Sequence, residues 1–505
     1  MTRREALGWL LARLVAAAGA ASAVGAAAAL RPWAVGRRGD PASALGTPPA
    51  PDVERFRSRP DLRPPRVTVD VPSAPDADPG LVFTDAHFGP GQQGALVLDG
   101  RGEVVWFLPL SGPSAAYRAF NVRVQTYRGR PVITMWRGRV VAGHGEGEYV
   151  LYDSSYRQVA RVSAQGGYRG DLHEFVLTER DTALLTCYGQ AAADLSALGG
   201  PASGAYWYGV VQEVDVATGR LLFEWRSDEH VPLAESYLPP PSSGAPWDYF
   251  HVNSVCVDPT DGNLIVSGRN VWTVYKVHRT SGRVLWRLGG KASDFPLDGG
   301  ARFAFQHHAV RWPDATLTVF DNEAGPPAEA RESRALVLSL DERARTATLL
   351  RQYRHVPPVL SDALGSVQDL PRGHRFVGWG TSSYFTEYDA SGRVRFDGRL
   401  APGTESYRAF KQTWHGVPAR PPDMAVEAGR DGVTVFASWN GATDVERWVV
   451  LGGESPARLR PVAAAPRAGF ETAIRLTRPP SYAAVAAVGA GGRMLGRSAV
   501  RAVRP

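Results

Sequence analysis

Apolar residues in this chain fall in short runs separated by turn residues. They follow the period-2 or fully buried pattern of β-strands, not the 3.6-residue period of helices. One unit recurs: an apolar strand, a turn around an Asp and usually a Gly, then a second strand often ending in an aromatic. Its copies are Ala95–Trp106, Tyr149–Val162, Val211–Trp225, Val274–Trp286, Ala335–Tyr353 and Phe385–Phe396. Their turn positions, Asp99, Asp153, Asp215, His278, Asp341 and Asp389, lie roughly 50–60 residues apart, a repeat period typical of propellers. Between these hairpins runs a second unit, an inner strand, a turn and another strand, as at residues 184–189, 264–270, 317–322 and 376–380. Two pairs per period make four strands. Six periods predict an all-β chain with a six-bladed β-propeller over residues 80–417, entered through a Pro-rich lead-in at 51–79. A β-sandwich with extra strands is the competing architecture.

From about Pro418 the pattern changes. The runs 433–440, 448–451 and 482–488 are short strands with turn-rich links. They predict a small, fibronectin III-like β-sandwich over 418–505, with Trp439 and Tyr482 as core aromatics. It holds no Cys and no His, and no chemistry is assigned to it.

Composition narrows the function. The 505 residues are 44% hydrophobic and 21% charged, ordinary for a globular protein with a large core. The net charge of +7 comes from scattered arginines, and Lys occurs only at Lys276, Lys291 and Lys411. No basic stripe forms, so no nucleic-acid partner is expected. Residues 1–50 stand apart: Arg3-Arg4 precede an Ala-rich stretch that is uncharged from Leu14 to Leu30, and Arg31, Arg37 and Arg38 follow. This resembles a twin-arginine export signal, with cleavage and retention as a membrane anchor both open, and places the protein outside the cytoplasm. Cys187 and Cys256, each in a strand-like run, are either paired or two buried thiols.

Three histidine-bearing stretches open successive apolar runs: Asp171-Leu172-His173-Glu174-Phe175, Phe250-His251-Val252-Asn253-Ser254 and Phe305-Gln306-His307-His308-Ala309. In a propeller the inner strands begin around a central channel, so His173, His251, Asn253, His307 and His308 would converge at one end. His251 and Asn253, two apart, would share one strand face. Arg269, ending the neighbouring strand, would return to the same mouth. Imidazoles, an amide and a guanidinium with few acids favour a tetrahedral oxyanion over a metal, although three histidines could hold Zn²⁺. No metal or cofactor is expected. Trp136, Tyr188 and Trp379 could wall the site for aromatic ligands, or simply fill cores.

Together with Trp286-Arg287-Leu288-Gly289-Gly290-Lys291 and Phe320-Asp321-Asn322, these stretches resemble the arylsulfotransferase family, in order and from about Phe56 to Phe396. The likeness is to its divergent actinobacterial- and fungal-type branch. The resemblance implies a six-bladed propeller that moves a sulfuryl group from an aryl sulfate to a phenolic acceptor without a nucleotide donor. It makes His307 the nucleophile, with His308 beside it in the doubled motif. His173 would serve as acid and base, and His251 and Arg269 as transition-state donors. Asn253, His308, Trp136, Tyr188 and Trp379 would contact substrate. A non-catalytic propeller binding sulfated or phenolic ligands, and a metal-assisted hydrolase, are the other classes the residues allow.

Overall fold

A computed structural model of the protein describes residues 52–110, 117–325, 328–329 and 332–503. Among the described residues the secondary structure is strands and short 3₁₀ turns, with no α-helix. No described helix is long and apolar enough to cross a membrane. The expected export segment at 1–50 lies outside the described residues.

Six four-stranded antiparallel sheets follow one another. Blade 2 runs Tyr117–Tyr127, Arg130–Val141, His144–Tyr152, Gln158–Val162, and blade 3 runs Gly170–Leu177, Thr182–Ala193, Gly204–Asp215, Leu221–Arg226. Blade 4 is Val252–Val257, Leu264–Gly268, Thr273–Val277, Val284–Gly289, and blade 5 is His307–Arg311, Thr316–Asp321, Arg334–Asp341, Thr346–Tyr353. Blade 6 is Ser366–Asp369, Arg375–Gly378, Tyr384–Tyr388, Val394–Leu400. Blade 1 takes its three outer strands from Leu81–Phe88, Gly94–Leu98 and Val104–Pro109, and its innermost strand, Ala409–Gln412, from the end of the propeller. The innermost strands touch their neighbours around a closed ring. The chain is therefore a six-bladed propeller fastened by its last strand.

The hairpin unit seen in the sequence is the outer strand pair of each blade. Its Asp makes the turn: Asp99 Oδ1 accepts the amides of Arg101 and Glu103, and Gly102 takes φ 78°. Asp153 and Asp389 repeat the arrangement. An Asp side chain that mimics a backbone turn explains why this residue type recurs where the strands reverse.

The lead-in is more than a linker. Its Val-Thr-Val-Asp-Val run forms the strand Val67–Val71, which adds to the outer edge of blade 6 against Val394–Leu400. Phe56 packs on Phe470 of the C-terminal domain, ring centroids 4.1 Å apart. That domain is a two-sheet sandwich, Asp423–Gly429, Gly432–Ser438 and Glu471–Leu476 facing Arg447–Gly453, Arg460–Pro466, Tyr482–Val488 and Met494–Arg497. Trp439 and Trp448 fill its core. Tyr482 does not, because it starts its strand beside Gly453 and Ala502 and stays half-buried. The sandwich is tied to the propeller through Asn440, whose side-chain amide pairs with both backbone groups of Phe107. Cys187 and Cys256 are both free thiols, in blades 3 and 4.

Candidate active site on the propeller axis

The axial ends of the inner strands carry unusual backbone. His251, Phe305 and His308 have φ of 56°, 53° and 49°. Left-handed backbone costs a non-glycine residue roughly 1–2 kcal/mol, so the surrounding hydrogen bonds must impose it. They do: the amides of Arg269 and Asn270 donate to the carbonyls of His251 and Phe250, both at 3.0 Å. The result locks Arg269 against His251 at the rim.

A cavity of about 170 Å³ opens on the axis. For comparison, an apolar cavity of about 150 Å³ admits benzene. His173, His251, Arg269 and His307 line it, from blades 3, 4 and 5. Phe88, Phe120, Leu172 and Leu364 supply apolar wall. Four ionisable residues that sequence reasoning missed also face it: His87, Arg118, Asp362 and Glu405. Glu405 pairs with His87 through the strand Thr404–Glu405, and Asp362 accepts from the Thr381 hydroxyl at 2.7 Å. One signal could have found His87: it follows Asp85 at i+2, as His173 follows Asp171.

Each cavity imidazole is held from behind through Nδ1. Asp85 holds His87 at 3.0 Å, Asp171 holds His173 at 2.7 Å and Asp248 holds His251 at 2.5 Å. His307 differs: its partner is the amide oxygen of Asn322, at 2.7 Å. Asn322 Nδ2 donates to the carbonyls of Ser361 and Leu364, which fixes Oδ1 toward the imidazole. His307 therefore carries its proton on Nδ1, and Nε2, which accepts from the Leu364 amide at 3.3 Å, keeps the lone pair.

His173 Nε2 and His251 Nε2 lie 3.2 Å apart. With both Nδ1 atoms donating to carboxylates, that contact requires one proton between them. Burial pushes the His251 imidazole down to about 4, against the pull of Asp248. Burial, the Arg269 guanidinium and the neighbouring imidazoles hold His307 well below the ordinary histidine range. Arg269 is 5% exposed, its Nη1 donates to Asn270 Oδ1 at 3.0 Å and it stacks on Phe305. Its Nε meets no hydrogen-bond partner among the described residues. It does not pair with Asp321, which Arg334 takes at 2.9 Å. A desolvated cation, a neutral imidazole lone pair and a proton-sharing imidazole pair thus surround a space sized for one aromatic ring.

Five residues expected to contact substrate do not line the cavity. Asn253 is fully buried and donates to the Gln306 carbonyl at 2.7 Å, because the left-handed turn at His251 breaks the alternation that would have put both on one face. His308 lies beneath the site, accepting the Val367 amide at 3.2 Å, with Arg408 and Arg123 depressing its basicity after burial. Trp136 is sealed under Gly138, Gly145 and Gly147, with Nε1 donating to the Gly170 carbonyl at 2.9 Å. Trp379 donates to Thr386 Oγ1 at 3.0 Å inside the blade 5–6 core. Tyr188 backs the histidines, its hydroxyl donating to the Val252 carbonyl at 2.7 Å. Among the described residues, the group arranged to take a cation is His144, Asp248 and His251.

Comparison with known proteins adds one match of substance. The family model described as arylsulfotransferase (ASST) matches residues 123–401, which spans blades 2 to 6. No curated protein matches. Among solved structures, a Bacteroides caccae protein of unknown function is 11% identical, covers 65% of this chain and 98% of its own, and superposes with a TM-score of 0.41. The periplasmic gluconolactonase of Pseudomonas aeruginosa gives 13% identity, 66% and 99% coverage, and a TM-score of 0.37. Similarity at that level says nothing of this chain's chemistry. The family match, by contrast, covers more than half of the sequence and takes in His173, His251, Arg269 and His307, and on it the chain belongs to the arylsulfotransferase family.

Proposed function

We propose that the protein transfers a sulfuryl group from an aryl sulfate to a phenolic acceptor through a sulfohistidine at His307, without a nucleotide donor. The observation that carries this reading is the His307 lone pair, fixed by Asn322 and presented beside Arg269.

In the first half-reaction His307 Nε2 gives up the long contact from the Leu364 amide and attacks sulfur, and the bond from sulfur to the donor's aryl oxygen breaks. Arg269 meets the charge spread over the sulfuryl oxygens, a preorganised and desolvated donor of the kind that dominates such transfers. The proton shared between His173 and His251 passes to the departing phenolate. The two facing Nε2 atoms are then both unprotonated and ready to take a proton from the incoming phenol. That phenol attacks sulfur, the N–S bond breaks and His307 returns neutral. While the sulfuryl group is bound, the ring bears positive charge, and Asn322 holds Nδ1–H without neutralising it. An aspartate there would make the ring a poorer leaving group. The cavity holds one aromatic ring at a time, which favours sequential use by donor and acceptor.

Supplying a chromogenic aryl sulfate without acceptor should place acid-labile sulfate on the protein, and adding a phenol should discharge it. His307→Ala should abolish label and turnover, while His308→Ala should keep both. Label on His308 instead would overturn the assignment, and no label or transfer with a broad set of phenyl sulfates would favour a binding protein. The reading includes export, directed by residues 1–50 with Arg3-Arg4; a reporter fused to them and found only in the cytoplasm would refute that part.

A further inference from the structure

Behind His251, outside the cavity lining, stand His144, which sulfuryl transfer leaves unused, and Asp248, which it uses only to hold His251 Nδ1. His144 opens the strand His144–Tyr152 and is 6% exposed. Its Nδ1 has no hydrogen-bond partner among the described residues, and its Nε2 stands 3.3 Å from Asp248 Oδ2 without hydrogen-bond alignment. Asp248 Oδ1 is also buried and unpartnered. Leaving such atoms unsatisfied is costly, and a buried polar group without a partner calls for an explanation. Asp248 Oδ2 reaches His251 Nδ1 as well, and the ligand atoms of the three residues fall within 4.8 Å of one another.

We propose that His144, Asp248 and His251 form a divalent-cation site of the Zn²⁺ class, with a fourth position open to water or an anion. Two imidazole nitrogens and one carboxylate oxygen suit a borderline ion; Ca²⁺ and Mg²⁺ would ask for more oxygens. The supporting shell is in place. Tyr188 and Trp207 clamp the His144 ring at centroid distances of 4.1 and 5.2 Å. Asn270 Nδ2 donates to the Asp248 carbonyl at 2.6 Å, steadying the segment that delivers the carboxylate. Nothing in the sequence pattern marks this set, because His144 sits alone in a glycine-rich hairpin and Asp248 ends the two-residue strand Trp247–Asp248 that pairs with Gly204–Asp215 of blade 3.

The test uses the purified protein stripped with chelator, titrated with Zn²⁺ by calorimetry and with Co²⁺ by visible absorption. One equivalent should bind, with the intense d–d bands of a four-coordinate site. His144→Ala and the bulk-preserving His144→Gln, both checked for cooperative thermal unfolding, should bind at least roughly 10–100-fold more weakly. Wild-type protein that takes up no more cation than these variants, or folded variants that bind as tightly, would overturn the site. Tight Zn²⁺ binding lost in the variants but no sulfate label would sink the sulfuryl reading and leave the cation site. Label without cation binding would do the reverse.

Discussion

The catalytic contrast in this site is between histidines with a carboxylate behind them and one with an amide. Because burial and Arg269 hold His307 well below the usual imidazole range, acid should not remove the nucleophile where it would half-protonate an exposed histidine, near about pH 6.5. The rate of phenol release in a single turnover, followed by stopped flow, should therefore not fall between about pH 7.5 and 5.5. A loss of half the rate at about pH 6.5 would show an ordinary imidazole at work. Arg269→Ala should cost roughly 10²–10³ in that rate, the usual loss of one preorganised oxyanion donor, with smaller change in donor KM. His173, His251, Arg269 and His307 were legible because each sits where an apolar run starts or ends, which is where a propeller meets its axis. Arg118, Asp362 and Glu405 were not. They lie in a loop, a two-residue strand or a long strand whose approach to the axis depends on ring closure, which no local pattern reports.

Strand parity was legible only where the backbone stayed extended. The notion that His251 and Asn253 share a face assumes alternation, and a φ of 56° at His251 cancels it. The aromatic wall failed for a related reason: glycines in blade 2 let the sheet close over Trp136. A Cβ on Gly147 would lie 2.3 Å from the Arg137 carbonyl oxygen and 2.7 Å from the Trp136 ring. Gly147→Ala should destabilise the protein by roughly 1–3 kcal/mol, the usual cost of overpacking, seen as a lower Tm. Trp136→Phe, which loses the bond to Gly170, should likewise lower Tm and leave the KM for phenols unchanged. A raised KM with unchanged Tm would return Trp136 to the substrate. The six hairpins, five turning on an Asp and one on His278, were read without error of kind, since the turn chemistry is local.

Across the whole molecule, a layer of buried charge lies beneath the cavity. Arg408, fully buried beside the closing strand, donates to both oxygens of Glu174 at 3.0 and 2.9 Å and to the Asn253 carbonyl at 3.0 Å. Arg123 of blade 2 also grips Glu174, at 2.8 Å. One guanidinium thus ties blades 3 and 4 to the seam of blade 1. Arg408→Ala should cost about 3 kcal/mol, the lower end for breaking a buried ion pair because Arg123 remains, and chemical denaturation would read it. The composition break near Pro418 made the second domain legible, while the docking of Phe56 and Val67–Val71 was not, because edge pairing with blade 6 depends on contacts hundreds of residues away. The same seam governs when the protein becomes competent. Asp85 waits for the Tyr407 amide, 322 residues further along, and Glu405, Arg408 and Ala409–Gln412 arrive together as the last of the propeller to leave the ribosome. A nascent chain that ends between His307 and Thr404 holds all four axial histidines and Arg269 but no enclosed cavity, with the edge of blade 1 exposed. Truncated products should be inert and prone to association, and activity should appear only once synthesis has passed residue 412.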